Sequence, residues 1–239
     1  MRRVIASLAV LLLLLTACGA ERELPPADFT VRIGSENFTD GENGVLLQYP
    51  VIEGMDDAEA QTLINEKISA YAHSMYVKEV PASSGDGGYY YDATAVRVTL
   101  QSGGFLSAVI GGTVTSAFSG NTSYFSYTIN GDIENGVLYT AGEIIADYPK
   151  LHALFLNGKF TQDFGHADLT AQMDLADLIS QYKAEYGILP EVYFTSDGVG
   201  FLIEVIPLLD GYAGFTLPIG KAKNYLNHEN PLAAYAVGS

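Results

Sequence analysis

Tryptophan is absent from this 239-residue chain, and cysteine occurs once, at Cys18. A single thiol excludes an intrachain disulfide and any cluster of cysteine metal ligands. Basic residues are scarce: 12 Lys and Arg stand against 28 Asp and Glu, for a formal net charge of −16. A chain this acidic repels nucleic-acid phosphate and anionic headgroups, so nucleic acid is not expected as a partner and cationic proteins or peptides are favoured. The histidines, His73, His152, His166 and His228, are scattered, and none falls in an HxxEH, HExxH or Ser-elbow spacing. His166-Ala167-Asp168 is the nearest approach to a catalytic pair, and such a pair is more often a loop hydrogen bond. No catalytic residue, no metal set and no cofactor is therefore expected.

The chain is rich in what builds a core: 48% of it is hydrophobic, with 16 Tyr and 11 Phe. Its first residues have a different use. Arg2-Arg3 precede an apolar run from Val4 to Leu15. A bilayer core takes roughly 20 apolar residues, so this shorter run suits the central region of a signal peptide. Leu15-Thr16-Ala17-Cys18 follows at once and resembles the bacterial lipobox, in which signal peptidase II cuts before a diacylglyceryl-modified cysteine. That resemblance implies lipidation at Cys18, a membrane partner through the lipid anchor, and a place on the outer face of the cell membrane, or on an outer membrane if the cell has one. Gly19 follows the cysteine, so an Asp-type inner-membrane retention signal is missing.

The expected organisation is a leader over 1–17, a lipidated tether and entry strand over 18–44, a module of helix and meander over 45–130, a second α+β module over 131–227, and a tail over 228–239. The tether is polar and carries Pro25-Pro26. Phe29 to Ile33 alternates like a strand, the stretch from Glu36 to Gly44 is rich in turn residues, and Val45 to Val51 reads as a second strand. Asp56 with Glu59 approximates a capping box for a helix running to about Tyr76, with Leu63, Ile64, Ile68, Tyr71 and Met75 as its buried stripe. His73 lies beside that stripe.

After the loop around Pro81 to Gly88, the stretches Tyr89–Leu100, Phe105–Ala117 and Tyr124–Ile129 are rich in β-branched and aromatic residues and read as a meander. Tyr89, Tyr90 and Tyr91 form an aromatic run that could stack on sugar. The segment from Asn130 to Gly136 alternates oxygen ligands, but an EF-hand loop starting at Asn130 fails at its sixth and twelfth positions, and a turn at Asn135-Gly136 explains it more simply. Thr140 and Glu143 make a capping box, and Leu151–Leu156 and Leu169–Tyr186 read as helices. Asp174 and Asp177 sit one turn apart on the last of these.

Two apolar runs flank Asp197-Gly198, which predicts a hairpin with a two-residue loop. In that register Ser196 faces Val199 and Phe194 faces Phe201. Val192, Phe194, Val199, Phe201, Ile203 and Val205 share a core face. The opposite face, with Tyr193, Thr195, Gly200, Leu202 and Glu204, could meet water. Tyr193, Thr195 and Glu204 are accordingly the candidate ligand-binding residues. Phe215 to Leu217 offers a third strand. The fold class is α+β, with antiparallel sheets packed against a long N-terminal helix and a few shorter helices.

Tyr49-Pro50-Val51-Ile52-Glu53-Gly54, the helix carrying Ile64-Asn65-Glu66, the strand, hairpin and capped helix over Tyr127 to Ile145, and the final segment from Tyr193 to Lys221 together resemble a known pattern. It is that of the extracytoplasmic region shared by the anti-sigma factor RsiV and the peptidoglycan deacetylase PdaC. The resemblance spans about Val45 to Tyr225 and implies extracytoplasmic binding or sensing, with lysozyme, another cationic protein or a cell-wall glycan as partner. The chain is expected to lack the sigma-binding and deacetylase parts of those two proteins. The family often carries Gly-Gly-Ala-His before its Asn-rich strand, where Ser116-Ala117-Phe118-Ser119 stands here, so no role of that histidine carries over. An envelope hydrolase acting on peptidoglycan and a structural lipoprotein remain the alternatives.

Overall fold

The computed structural model describes residues 24–81, 87–165, 191–204 and 212–238. The chain is α+β, with a six-stranded and a four-stranded sheet. The first sheet takes its strands in sequence order: β1 (Thr30–Asp40), β2 (Asn43–Glu53), β3 (Tyr89–Ser102), β4 (Phe105–Ser116), β5 (Thr122–Asp132) and β6 (Val137–Leu138). Helix α1 (Ala58–Glu79) joins β2 to β3, the one parallel pair; every other described ladder is antiparallel. Short helices α2 (Ala141–Ile144) and α3 (Tyr148–Leu156) lead to the second sheet. There β7 (Thr161–Phe164), β8 (Glu191–Phe194), β9 (Gly198–Glu204) and β10 (Tyr212–Pro218) lie in the order β7-β10-β9-β8. Helices α4 (Ile219–Ala222) and α5 (Pro231–Val237) close the chain.

The expected long N-terminal helix is not found: the helix expected from Asp56 to about Tyr76 is α1, of 22 residues, which lies behind two strands, and the other described helices have nine residues or fewer. The cap of α1 is Asp57, one residue later than the capping-box spacing predicts, because the Asp57 carboxylate accepts from the backbone N–H of both Glu59 and Ala60. Ile64, Ile68, Ala72 and Met75 recur at steps of three and four residues and bury against Tyr91, Ala108, Ile110, Phe125 and Ile129. Leu63 lies one position off that stripe and is 48% exposed.

The stretch from Glu36 to Gly44 is strand on both sides of a tight turn at Gly41-Glu42, with Asp40 paired to Asn43. The end of the expected tether is docked. Pro25 and Pro26 carbonyls accept from Gly103 N–H at 3.2 and 3.3 Å, and Ser102 Oγ, which also donates to Pro25, meets the Tyr235 hydroxyl of α5. The expected tail contains α5, with Leu232 and Ala233 fully buried and Asn230 as its cap. The six-stranded sheet runs to Leu138.

The core of the second sheet is aromatic. Phe155 of α3 meets Phe160, Phe201 and Phe215 edge-on, with centroids 5.2, 5.7 and 5.3 Å away. Val192, Phe194, Val199, Phe201 and Ile203 share this face as expected; Val205 lies outside the described residues. The register differs. Phe194 pairs with Val199 and Val192 with Phe201, which leaves Thr195 to Asp197 as the loop before Gly198, the first residue of β9, whose carbonyl accepts from Thr195 N–H at 3.0 Å. Shifting the pairing by two positions keeps each side chain on its face, so the core pattern survives a wrong turn type. Gly198 is glycine for space: a Cβ there would meet Thr216 Cγ2 at 2.5 Å and the Leu217 carbonyl at 2.8 Å.

Candidate functional site

The second sheet packs its other face on the outer face of the first. Tyr193 and Leu202, expected to meet water, are buried there against Val109. Both faces of the β8–β9 hairpin are therefore covered, one by α3 and one by β4. Tyr193 cannot touch a ligand from solvent. Its hydroxyl donates to Asp163 Oδ1 at 2.8 Å, Thr216 Oγ1 donates to Asp163 Oδ2 at 2.7 Å, and burial holds the Tyr193 phenol well above its ordinary range. Gly200 and Gly214 make room for it: a Cβ at Gly200 would stand 2.1 Å from its ring. Thr195 is half-buried and donates to Asp197 in the hairpin loop, away from this packing. The backbone of Glu204 pairs with Tyr212.

The joint between the sheets is polar. Asn130 is 1% exposed; its Nδ2 donates to the Val192 carbonyl at 2.7 Å, and its Oδ1 accepts from Ser107 Oγ at 2.7 Å. Ser107 Oγ in turn accepts from Phe194 N–H at 2.9 Å. Side chains of β4 and β5 thus satisfy the edge of β8, where another strand would otherwise be needed. Asn130 is a staple, and Asp132 accepts from both Asn135 nitrogens, so these oxygens have partners within the turn.

Glu191 stands at the rim of this joint, accepting from Thr128 Oγ1 at 2.7 Å. Burial raises its carboxyl above the usual range, opposed by the Thr128 bonds and the charge of Lys78. Burial, with Glu191's charge adding to it, also pushes the Tyr71 phenol up to about 12. A raised acid pKa means the folded state holds the proton more tightly, so stability falls as pH rises from the ordinary carboxylate range through the folded value. Glu191→Gln keeps an acceptor for Thr128. It should raise the melting temperature at pH 7 and lose that advantage below about pH 4. A variant that melts below the wild type at pH 7 would contradict this.

Beside the joint, the outer face of the first sheet is open as a cleft of about 540 Å³. Register arranges its floor in rows: Asp92, Thr113 and Tyr124; then Ala95, Gly111 and Ser126; then Arg97, Val109 and Thr128. A bulge between Asp92 and Ala95 keeps these β3 positions on one face, with Thr94 Oγ1 donating to Asp92 Oδ1 at 2.7 Å. Phe164, Gly165 and Tyr212 form the wall. The Tyr212 ring lies over Gly111, where a Cβ would come within 2.0 Å of it. Burial raises the Tyr212 phenol, and the Arg97 charge opposes the rise.

Arg97 is the cation of this cleft. Its guanidinium sits 4.6 Å from the centroid of Phe164, which leans on Tyr193 behind it at 5.4 Å. Arg97 is exposed, and among the described residues it has no ion-pair partner, whereas Arg32 pairs with Glu53 and Lys150 with Asp147. A guanidinium fixed on one face by an aromatic ring keeps its donor fork for an incoming carboxylate.

The residues singled out from sequence do not assemble here. Tyr193 lies one ring behind the cleft, and Thr195 and Glu204 are not among its lining. The aromatic run is split: Tyr91 is buried against α1 while Tyr90 is 62% exposed, so there is no platform of three rings. His73 bonds Glu36 at 3.0 Å and stacks on Phe38; His166, Asp168, Asp174, Asp177 and the helix expected over 169–186 lie outside the described residues. Among the described residues no group of three or more His, Cys, Asp or Glu side chains could hold a metal ion. Arg97, Phe164 and Tyr212 went unremarked in the sequence. The available signal was Gly111-Gly112 inside an otherwise apolar strand, which marks a close approach by another element.

A helix-crossed six-stranded sheet carrying a smaller antiparallel sheet on its outer face defines the architectural class, and solved structures share it. One is a member of the DUF3298 family from Bacteroides fragilis NCTC 9343, 14% identical, with a TM-score of 0.54 over 89% of this chain and 100% of that one. Another is a DUF3298 family protein from Pseudomonas aeruginosa PAO1, 13% identical, with a TM-score of 0.50 over 90% of this chain and 98% of that one. At such identities the likeness establishes the fold alone. No family model matches the sequence, and no curated protein matches it.

Proposed function

We propose that the chain is a lipid-anchored binding module of the bacterial cell envelope and that the cleft between its sheets seats a fragment of the cell wall. The observation that carries this is Arg97, a guanidinium held on Phe164 in the cleft and without an ion-pair partner among the described residues, in a protein with a net charge of −16. Among the described residues no carboxylate pairs with it, so its donor fork is open to an external one. Concave shape and aromatic walls favour a small ligand, since binding sites of this kind enclose roughly 300–1,000 Å³. The leader ending in Leu15-Thr16-Ala17-Cys18 supports the anchor and the extracytoplasmic location, and the motifs that resemble the RsiV and PdaC region support binding over structure alone.

A second partner, lysozyme or another cationic protein, is favoured by a different observation, the excess of acidic over basic residues, and would dock on the surface at large. Calorimetric titration of the full chain in mild detergent with a soluble peptidoglycan digest tests the cleft directly. Wild type should bind, and Arg97→Gln should weaken binding about tenfold or more, because a bond to a charged partner is worth about 1.5–3 kcal/mol. Equal binding by wild type and Arg97→Gln, or no binding by either, would contradict the cleft as the seat. Salt-sensitive binding of lysozyme unaffected by Arg97→Gln would favour the second partner.

A further inference from the structure

We infer that the ligand of the cleft is a short zwitterionic peptide of three to four residues, with its carboxylate on Arg97 and its ammonium on Asp92; this rests on the binding role proposed above. The two opposite charges stand at opposite ends of one floor. Asp92 pairs with Thr113, Ala95 with Gly111 and Arg97 with Val109, so the distance between the charges is measured by four residues of β4. At about 3.3 Å per residue that is roughly 13 Å between backbones. An extended peptide of four residues spans about the same length, and one of three falls short of it by about one residue, less than the length of an arginine side chain.

Each end is prepared for its charge. Arg97 is held on one face by the Phe164 ring of the wall at 4.6 Å, which orients its fork without neutralising it. At Asp92, the Thr94 hydroxyl donates to Oδ1 at 2.7 Å and holds the carboxylate at the bulge. Between the ends, the Tyr212 ring over Gly111 gives an apolar wall, and Thr113 and Tyr124 line the Asp92 end. A dipolar ligand also fits the charge of the whole chain. At −16 the protein repels a multiply anionic glycan, whereas a peptide with one charge of each sign has no net charge for that field to oppose.

The test uses the full chain and four peptides: tetra-alanine with free termini, its N-acetyl form, its C-terminal amide, and the form capped at both ends. The free peptide should bind, and each single cap should weaken binding about tenfold or more, with the doubly capped form showing no measurable binding. Arg97→Gln should lose sensitivity to the amide cap while retaining sensitivity to acetylation, and Asp92→Asn should do the reverse. Equal affinity for free and capped peptides overturns the inference, and the wild-type protein alone decides that point. If the free peptide fails to bind while a peptidoglycan digest binds through Arg97, the zwitterion is wrong and the cleft stands as a site for a carboxylated sugar. If the digest also fails to bind, the binding role falls with it.

Discussion

Replacing Asn130 by leucine is expected to destabilise the protein by about 3 kcal/mol, although the two side chains share the same branched skeleton of heavy atoms. Asn130 satisfies the Val192 carbonyl and the Ser107 hydroxyl inside a joint from which water is excluded, and Ser107 satisfies Phe194 N–H. Leucine would leave the Val192 acceptor and the Ser107 donor without partners, at about 1–3 kcal/mol for each. Urea unfolding should show a lower midpoint. Because these bonds tie β8 to β4 and β5, partial uncoupling of the two sheets should also broaden the transition or split it. A loss below about 1 kcal/mol with an unchanged transition would mean that apolar packing, not the staple, holds the sheets together.

Cys18→Ser is expected to abolish the lipid adduct and cleavage by signal peptidase II, leaving only the leader's apolar run to hold the protein in the membrane fraction. The size of the effect follows from the lipid. Each buried methylene contributes about 0.8 kcal/mol, one acyl chain gives only marginal reversible binding, and the two chains of a diacylglyceryl cysteine give a stable anchor. Serine offers no thiol for that modification. The uncleaved apolar run Val4 to Leu15 would remain, so fractionation is best paired with the intact mass, which should lack the lipid adduct. A Cys18→Ser protein that keeps the wild-type adduct mass on its mature chain would remove the anchor from the proposal.

The core was legible in the sequence because burial writes a period into it. The stripe of Ile64, Ile68 and Met75 and the alternation of Val192, Phe194, Phe201 and Ile203 each identify a buried face without any knowledge of the partner. The covering of the second face was not legible. Tyr193 and Leu202 alternate out of phase with the core, and only the arrival of β4 with Val109 makes that side an interior. Asp197-Gly198 pointed to the correct hairpin but the wrong loop, because Gly198 serves a close approach by Thr216 rather than a positive φ. The cleft was legible least of all: Asp92 and Arg97 come from one strand, Tyr124 from another, and Phe164 and Tyr212 from strands of the second sheet. No spacing in the chain records that meeting. What the sequence does show is a cation among alternating apolar and small residues in β3 and a glycine pair in β4, and their meaning depends on the register that sets Gly111 opposite Ala95.

The most direct test of the cleft as ligand seat is an amide-resolved NMR titration of the full chain with the peptidoglycan digest. Shifts confined to the amides of Asp92, Ala95, Arg97, Gly111, Gly165 and Tyr212, and abolished by Arg97→Gln, are the predicted result. Saturable shifts centred elsewhere on the described residues, with Arg97 and Gly111 unmoved, would contradict it.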